Sequence, residues 1–212
     1  KSSLMNRLTG ADTLVENKLF ATLDPTVRKI KKNFPYPVLL SDTVGLINKL
    51  PHDLVASFKS TLDEVRDANL LIHVVDISHP EYKNQLQTTD DLLIEMGMNE
   101  IDIILVFNKI DSIDDIEKLE EAQENHPSAI FISCKKDEGI EALRQKIIDQ
   151  YEKKLLPFNL QLEHSQARLV SQIRKFALIV KEDYQEDRIN LSLRLPPGGK
   201  AKLSNLEKIE NI

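Results

Sequence analysis

The chain has 212 residues, of which 41% are hydrophobic and 29% charged, with a formal net charge of −6 and a single cysteine. That length holds one large or two smaller cores, and no run approaches the roughly 18 apolar residues of a membrane span. The acidic balance argues against a protein living on phosphate-backbone contacts alone, and the lone Cys134 excludes a disulfide framework and fits a reducing, cytoplasmic setting.

The opening stretch "KSSLMNRLTG" predicts an amphipathic helix over Ser3–Thr9, with Leu4, Met5 and Leu8 near one side. A Lys-Ser pair entering a helix is the right-hand half of the phosphate-binding pattern G-x-x-x-x-G-K-[ST]. In such a loop Lys1 would reach the β/γ-phosphates, the Ser2 hydroxyl would bind Mg²⁺, and Ser3 would sit with them where the helix dipole favours anions. The glycine half and the strand before it are expected upstream of Lys1. Further on, "RKIKK" (28–32) is the best local cationic patch and reads as a solvated loop or hairpin.

Four apolar runs follow, at 37–42, 69–78, 102–110 and 129–134, each rich in Val, Ile and Leu with little alternation. They predict strands buried on both faces. Helical stretches lie between and after them, over Pro51–Arg66, Pro80–Met96, Ile113–Asn125 and Gly139–Lys154. This alternation predicts a doubly wound, mostly parallel α/β sheet over residues 1–154, with ligands at the carboxyl ends of its strands.

Three of those ends carry chemistry. "DTVG" (42–45) places Asp42 where it would face a metal, directly or through water, and Gly45 where a bare backbone N–H could approach a γ-phosphate. "NKID" (108–111) suits guanine: Asp111 can accept from the ring N1–H and the 2-amino group together, and adenine would leave that carboxylate unpaired. Asn108 can tie the loop to the phosphate loop or to the purine edge, and the Lys109 stem can lie on the base. "SCKKDEGI" (133–140) has the shape of a backbone clamp at Ser133, Cys134 and Lys135 for the guanine carbonyl. His73, inside an apolar run, reads as a core histidine, and Cys134 as buried and inert. No cluster has zinc-ligand spacing, and no Ser-His-Asp constellation assembles.

Residues 155–212 read differently. The long helix is expected to end near a linker at Pro157, followed by a strand (Asn159–Leu162) and a helix (Ser165–Phe176) with Leu169, Ile173 and Phe176 on one side. A hairpin comes next, in whose second arm Ile189, Leu191, Leu193 and Leu195 alternate with polar residues. This predicts a small α+β domain with one wet sheet face.

The order phosphate loop, D-x-x-G, N-K-x-D, S-C-K resembles a P-loop GTPase domain of the translation-factor-related class. More closely, "NKLFATLDPTVRKI" (17–30) and "DTVGLINKLPHDLVASFKSTLDEVRDANLLIHVVDIS" (42–78) resemble the two switch segments of the HflX family of ribosome-associated GTPases. The resemblance is strong over residues 1 to about 154 and holds only in general pattern beyond. The family's N-terminal domain and coiled linker have no counterpart in these residues.

The resemblance implies GTP as substrate and Mg²⁺ as cofactor. It makes Thr22 the switch threonine that reaches Mg²⁺ and the γ-phosphate, with Thr26 an open alternative, and Gly45 the γ-phosphate sensor. Leu46 occupies the slot where many small GTPases carry a glutamine that orients water, so another group must do that work: part of a loop, a bound K⁺, or a partner. His52 reads as part of a helix start or a partner contact, not as a base. The implied partner is the large ribosomal subunit, rRNA and protein, with a role in splitting or rescuing ribosomes. The expected species is a monomer that does not engage membranes. The alternatives are a same-fold GTPase with a non-ribosomal target and an interaction module deficient in nucleotide binding.

Overall fold

The computed structural model describes residues 1–10, 26–30, 34, 38–42, 66–98 and 100–210. They fall into two compact units, Lys1–Gln145 and Lys146–Ile212.

The first unit begins with helix α1 (Ser2–Thr9), which buries Leu4, Met5 and Leu8 and ends at Gly10. Gly10 adopts a left-handed φ of 68°, and its N–H closes on the Asn6 carbonyl, a common helix stop. Strands β1 (Thr26–Ile30) and β2 (Val38–Asp42) pair antiparallel, with Thr26 opposite Asp42. Strands β3 (Leu71–Asp76), β4 (Ile103–Asn108) and β5 (Ile130–Ile132) form a parallel sheet in the order β3-β4-β5. Helix α2 (Tyr82–Glu95) links β3 to β4, helix α3 (Ile116–Asn125) links β4 to β5, and α4 (Ile140–Lys153) follows β5. Asp115 caps α3, its carboxylate accepting from the Glu117 and Lys118 N–H groups. Beneath the sheet, Val75, Ile77, Tyr82, Leu86, Phe107 and Ala122 form one core cluster, in which the Phe107 ring stacks on Phe131 at 5.0 Å.

The run at 37–42 corrects an expectation. It is not a parallel strand buried on both faces: β2 is antiparallel to β1, and Leu39 is 70% exposed. Arg28, Lys29 and Ile30 of the basic stretch lie in its partner strand, burial alternates between partial and exposed along β2, and only Asp42 is buried. The predicted helix over Pro51–Arg66 lies outside the described residues except for its last position.

In the second unit, β6 (Leu156–Glu163), β7 (Leu178–Tyr184) and β8 (Arg188–Leu195) form an antiparallel sheet in the order β6-β8-β7. Along β8, Ile189, Leu191, Leu193 and Leu195 are buried and the residues between them are not, as the period-two pattern dictates. They pack with Leu169, Val170 and Ile173 of α5 (Arg168–Ile173) and Leu203 of α6 (Gly199–Glu210).

Two further expectations change here. Pro157 is not in a linker but inside β6, opposite Arg194; β6 is an edge strand, where a missing N–H leaves no ladder bond unmade. The expected helix over Ser165–Phe176 is a 3₁₀ turn (His164–Gln166) followed by a short α5. Helix α6 was not anticipated. Its apolar residues are few, and it starts at Gly199, inside a Pro-Pro-Gly-Gly run that reads as loop. Among the described residues, no helix is long and apolar enough to cross a membrane.

Candidate nucleotide-binding site

Strand register builds the site. Asp76 of β3, Asn108 of β4 and Ile132 of β5 lie side by side across the parallel sheet. The segments after them therefore leave the same edge, as at the carboxyl ends of other open α/β sheets.

At the purine end, two loops lock together. Asn108 is buried, and its Oδ1 accepts from the Cys134 N–H at 3.2 Å. Ser133 is fully buried; its hydroxyl donates to Asp111 Oδ1 at 2.5 Å and accepts from the Lys136 N–H at 3.0 Å. The Ser133 bond is the main cause holding the Asp111 carboxyl below the usual carboxylate range, so it stays ionised at neutral pH. Lys109 takes a left-handed φ of 69°, a conformation costing on the order of 1–3 kcal/mol for a side-chain-bearing residue. From there its ammonium reaches Asp76 Oδ2 at 2.6 Å. Burial pushes the Asp76 carboxyl up, but hydrogen bonds from Lys109 and Ser78 outweigh it and hold the group below its ordinary value.

The clamp loop after β5 is closed by reciprocal backbone bonds between Ser133 and Glu138. Gly139 then turns into α4 at φ 72°, where a Cβ would lie 2.3 Å from the Phe131 carbonyl oxygen. Only glycine fits there. Burial raises the Cys134 thiol above its usual range, which disfavours the reactive thiolate.

At the phosphate end, the Ser2 hydroxyl donates to Asp42 Oδ2 at 3.1 Å. Asp42 is buried, and it stands opposite Thr26 in the β1–β2 ladder. Desolvation pushes the Lys1 ammonium below the usual lysine range, with the neighbouring Asp42 carboxylate pulling the other way. An alcohol and a carboxylate are hard oxygen donors of the kind Mg²⁺ accepts, and Mg²⁺ commonly completes its shell with water and phosphate oxygens. Ser3 lies in the first turn of α1. Lys135 is an exposed residue of the clamp loop. Thr22, Gly45, Leu46 and His52 lie outside the described residues.

Two contacts went unread in the sequence. Asp76 ends an apolar run beside the strand carrying N-K-x-D, a juxtaposition that could have flagged it. Arg7 gave no signal at all: its Nε donates to the Cys134 carbonyl at 2.8 Å, a contact that joins residues far apart in the chain.

Comparison with known proteins gives these loops a context. The family model described as 50S ribosome-binding GTPase matches residues 1–109. The GTPase HflX of Gluconacetobacter diazotrophicus is 41% identical over 203 residues, covering 96% of this chain and 45% of its own length. The GTPase HflX of Escherichia coli K12 is 38% identical over 198 residues, covering 92% and 46%. The chain thus spans less than half the length of these relatives. Among solved structures, an Aquifex aeolicus Era variant bound to GDP·AlF4⁻ aligns with a TM-score of 0.54 at 19% identity, over 70% of this chain and 52% of that one. A probable GTP-binding protein, engB, aligns at 0.50 and 21% identity, over 71% and 91%. These two likenesses establish the fold, an α/β P-loop GTPase fold, and no more. With half of its residues matched by the family model and HflX relatives aligned over nearly its whole length, the chain belongs to the 50S ribosome-binding GTPases and, among them, to the HflX family.

Proposed function

We propose that the edge formed by α1, β2, β4 and β5 binds GTP with Mg²⁺ and supports its hydrolysis, coupled to the large ribosomal subunit. Residues 1–154 then serve as the nucleotide domain and 155–212 as a small C-terminal domain. The observation that carries the reading is the double lock of Asn108 onto Cys134 N–H and Asp111 onto Ser133, which fixes an ionised carboxylate beside a backbone clamp.

In this reading Asp111 accepts from guanine N1–H and the 2-amino group. The Lys109 stem, tethered by Asp76, lies along the base, and Lys1 meets the β/γ-phosphates. Ser2 and Asp42 hold Mg²⁺, which would neutralise charge developing on the phosphate oxygens. Thr22 and Gly45 engage the γ-phosphate, so its loss frees both switch segments. The Leu46 side chain offers the attacking water no hydrogen bond. The orienting group then comes from elsewhere, from the ribosomal partner or a monovalent cation such as K⁺, and turnover is slow in isolation. Coupling to the subunit draws on the family description and on Leu46.

The test is nucleotide turnover by the full-length protein, with and without purified large subunits, for the wild type and Asp111→Asn. The expected wild type prefers GTP and accelerates on subunits. The variant loses roughly 100-fold or more in GTP affinity, the scale of a lost charge-assisted bidentate contact, and gains xanthosine triphosphate. Unaltered guanine preference in the variant overturns the base site, and equal turnover with and without subunits overturns the coupling.

A further inference from the structure

Arg7 projects from the last turn of α1, whose first turn carries Ser2. Its guanidinium Nε donates to the Cys134 carbonyl at 2.8 Å, and the same fork reaches the Lys135 carbonyl at 3.5 Å. Asp137 Oδ1 lies 3.7 Å from Nε and supplies the counter-charge. One side chain of the phosphate-side helix thus grips two successive carbonyls of the purine-side clamp.

The backbone of that clamp reveals what the grip does. The Cys134 N–H is given to Asn108, the Lys136 N–H to the Ser133 hydroxyl, and the Ser133 and Glu138 N–H groups to each other's carbonyls. Among the described residues, no acceptor meets the Lys135 N–H. That N–H shares a peptide unit with the carbonyl Arg7 holds most tightly. In a trans peptide the two groups point in opposite directions, so fixing the carbonyl aims the N–H. A cationic donor on the carbonyl also polarises the amide and strengthens the N–H as a donor.

We infer that Arg7 is a positioning residue for purine specificity, presenting the Lys135 N–H to the 6-oxo group of the base and tying that contact to the helix that binds the phosphates. The inference rests on the nucleotide-site reading above. It gives the backbone clamp for the guanine carbonyl an anchoring side chain, separate from Asp111, whose partners are the N1–H and the 2-amino group.

That separation supplies the test. In 6-thioguanosine diphosphate the N1–H and 2-amino group remain, but a poorly accepting sulfur replaces the 6-oxo oxygen. Affinities of the full-length protein for GDP and 6-thio-GDP are measured for the wild type, Arg7→Met and Arg7→Lys, with Asp111→Asn as a parallel control. The wild type should favour GDP. Arg7→Met should lose about tenfold for GDP, the worth of one charge-assisted hydrogen bond, and less than about twofold for 6-thio-GDP, so that the ratio collapses. Arg7→Lys keeps the charge and one donor direction and should restore part of the ratio; it also serves if the methionine variant fails to fold. Equal weakening of both nucleotides, weakening of neither, or a wild-type ratio near one overturns the role of Arg7. If instead the wild type binds neither nucleotide, or Asp111→Asn leaves the affinity for GDP unchanged, the nucleotide site itself is wrong.

Discussion

The two sheets use the same backbone bonds to different ends. In β3-β4-β5 the strands run parallel and end level, so Asp76, Asn108 and the Ser133–Lys135 clamp emerge together at one edge. In β6-β8-β7 the central strand β8 runs opposite to both of its neighbours. Its side chains alternate between the apolar cluster of Ile189, Leu191, Leu193 and Leu195 and a wet face where Gln161, Asn190 and Asp183 lie abreast. A parallel sheet brings distant parts of the sequence to one edge. An antiparallel hairpin spreads its polar residues along a surface. Convergent chemistry therefore belongs to the first unit, and the second reads as a packing unit.

The largest expected effect breaks the second sheet without touching the first. Leu193 is 2% exposed in the central strand, flanked in register by Phe158 and Ile179. Leu193→Ala removes buried methyl groups and leaves a cavity, a change that costs about 2–5 kcal/mol. A denaturation midpoint followed by circular dichroism should fall accordingly, with GDP affinity in the absence of denaturant unchanged. A midpoint that does not move would show the core cluster to be less tightly packed than its burial implies.

Next in size is Gly139→Ala, which sharpens the comparison by striking the clamp through its backbone alone. The added Cβ meets the Phe131 carbonyl oxygen at 2.3 Å, at a φ that L-residues rarely adopt. Either the β5–α4 turn shifts or the conformation changes, at a cost of about 1–3 kcal/mol. Because Ser133 and Lys135 ride on that turn, GDP should dissociate faster in stopped-flow measurements. Wild-type dissociation kinetics would count against the clamp being part of the site.

How much of this was legible depended on distance along the chain. The segment "LVFNKID" shows a buried strand running into a polar loop within seven letters, so β4 and its loop could be placed from sequence. The alternation of β8 was equally local. The run before Asp42 was misread because an apolar stretch has the same appearance in a central parallel strand and in a half-exposed hairpin arm; only its pairing with Arg28–Ile30 decides between them. Pro157 looked like a breaker because an edge position is not visible in sequence. The Arg7 grip on Cys134 depends wholly on tertiary placement, and no local pattern encodes it. Asp76 lies between these extremes, since its partner Lys109 stands on the neighbouring strand's loop.

The smallest effect concerns a histidine that joins the first sheet to its covering helix. His73 stands in β3 with its side chain 10% exposed, and its Nδ1 lies 3.4 Å from Asp90 Oδ1 on α2. Burial pushes the imidazole below its ordinary value, and the attraction and hydrogen bond of Asp90 only partly oppose it. The unfolded chain therefore takes up this proton near the usual histidine value of about 6.5, and the folded chain only at lower pH. Between those points the unfolded state holds more protons, so stability rises with pH across the window and is lost on acidification through it. The slope from this one proton is bounded by about 1.4 kcal/mol per pH unit. Removing the imidazole with His73→Gln should flatten the stability profile of the first unit between neutral pH and the folded-state value. Asp90→Asn takes away the opposing attraction and should deepen the depression, so that acid sensitivity extends to lower pH. Urea midpoints collected across that range check both. An unaltered profile in His73→Gln would show that the acid sensitivity of this unit lies in other groups.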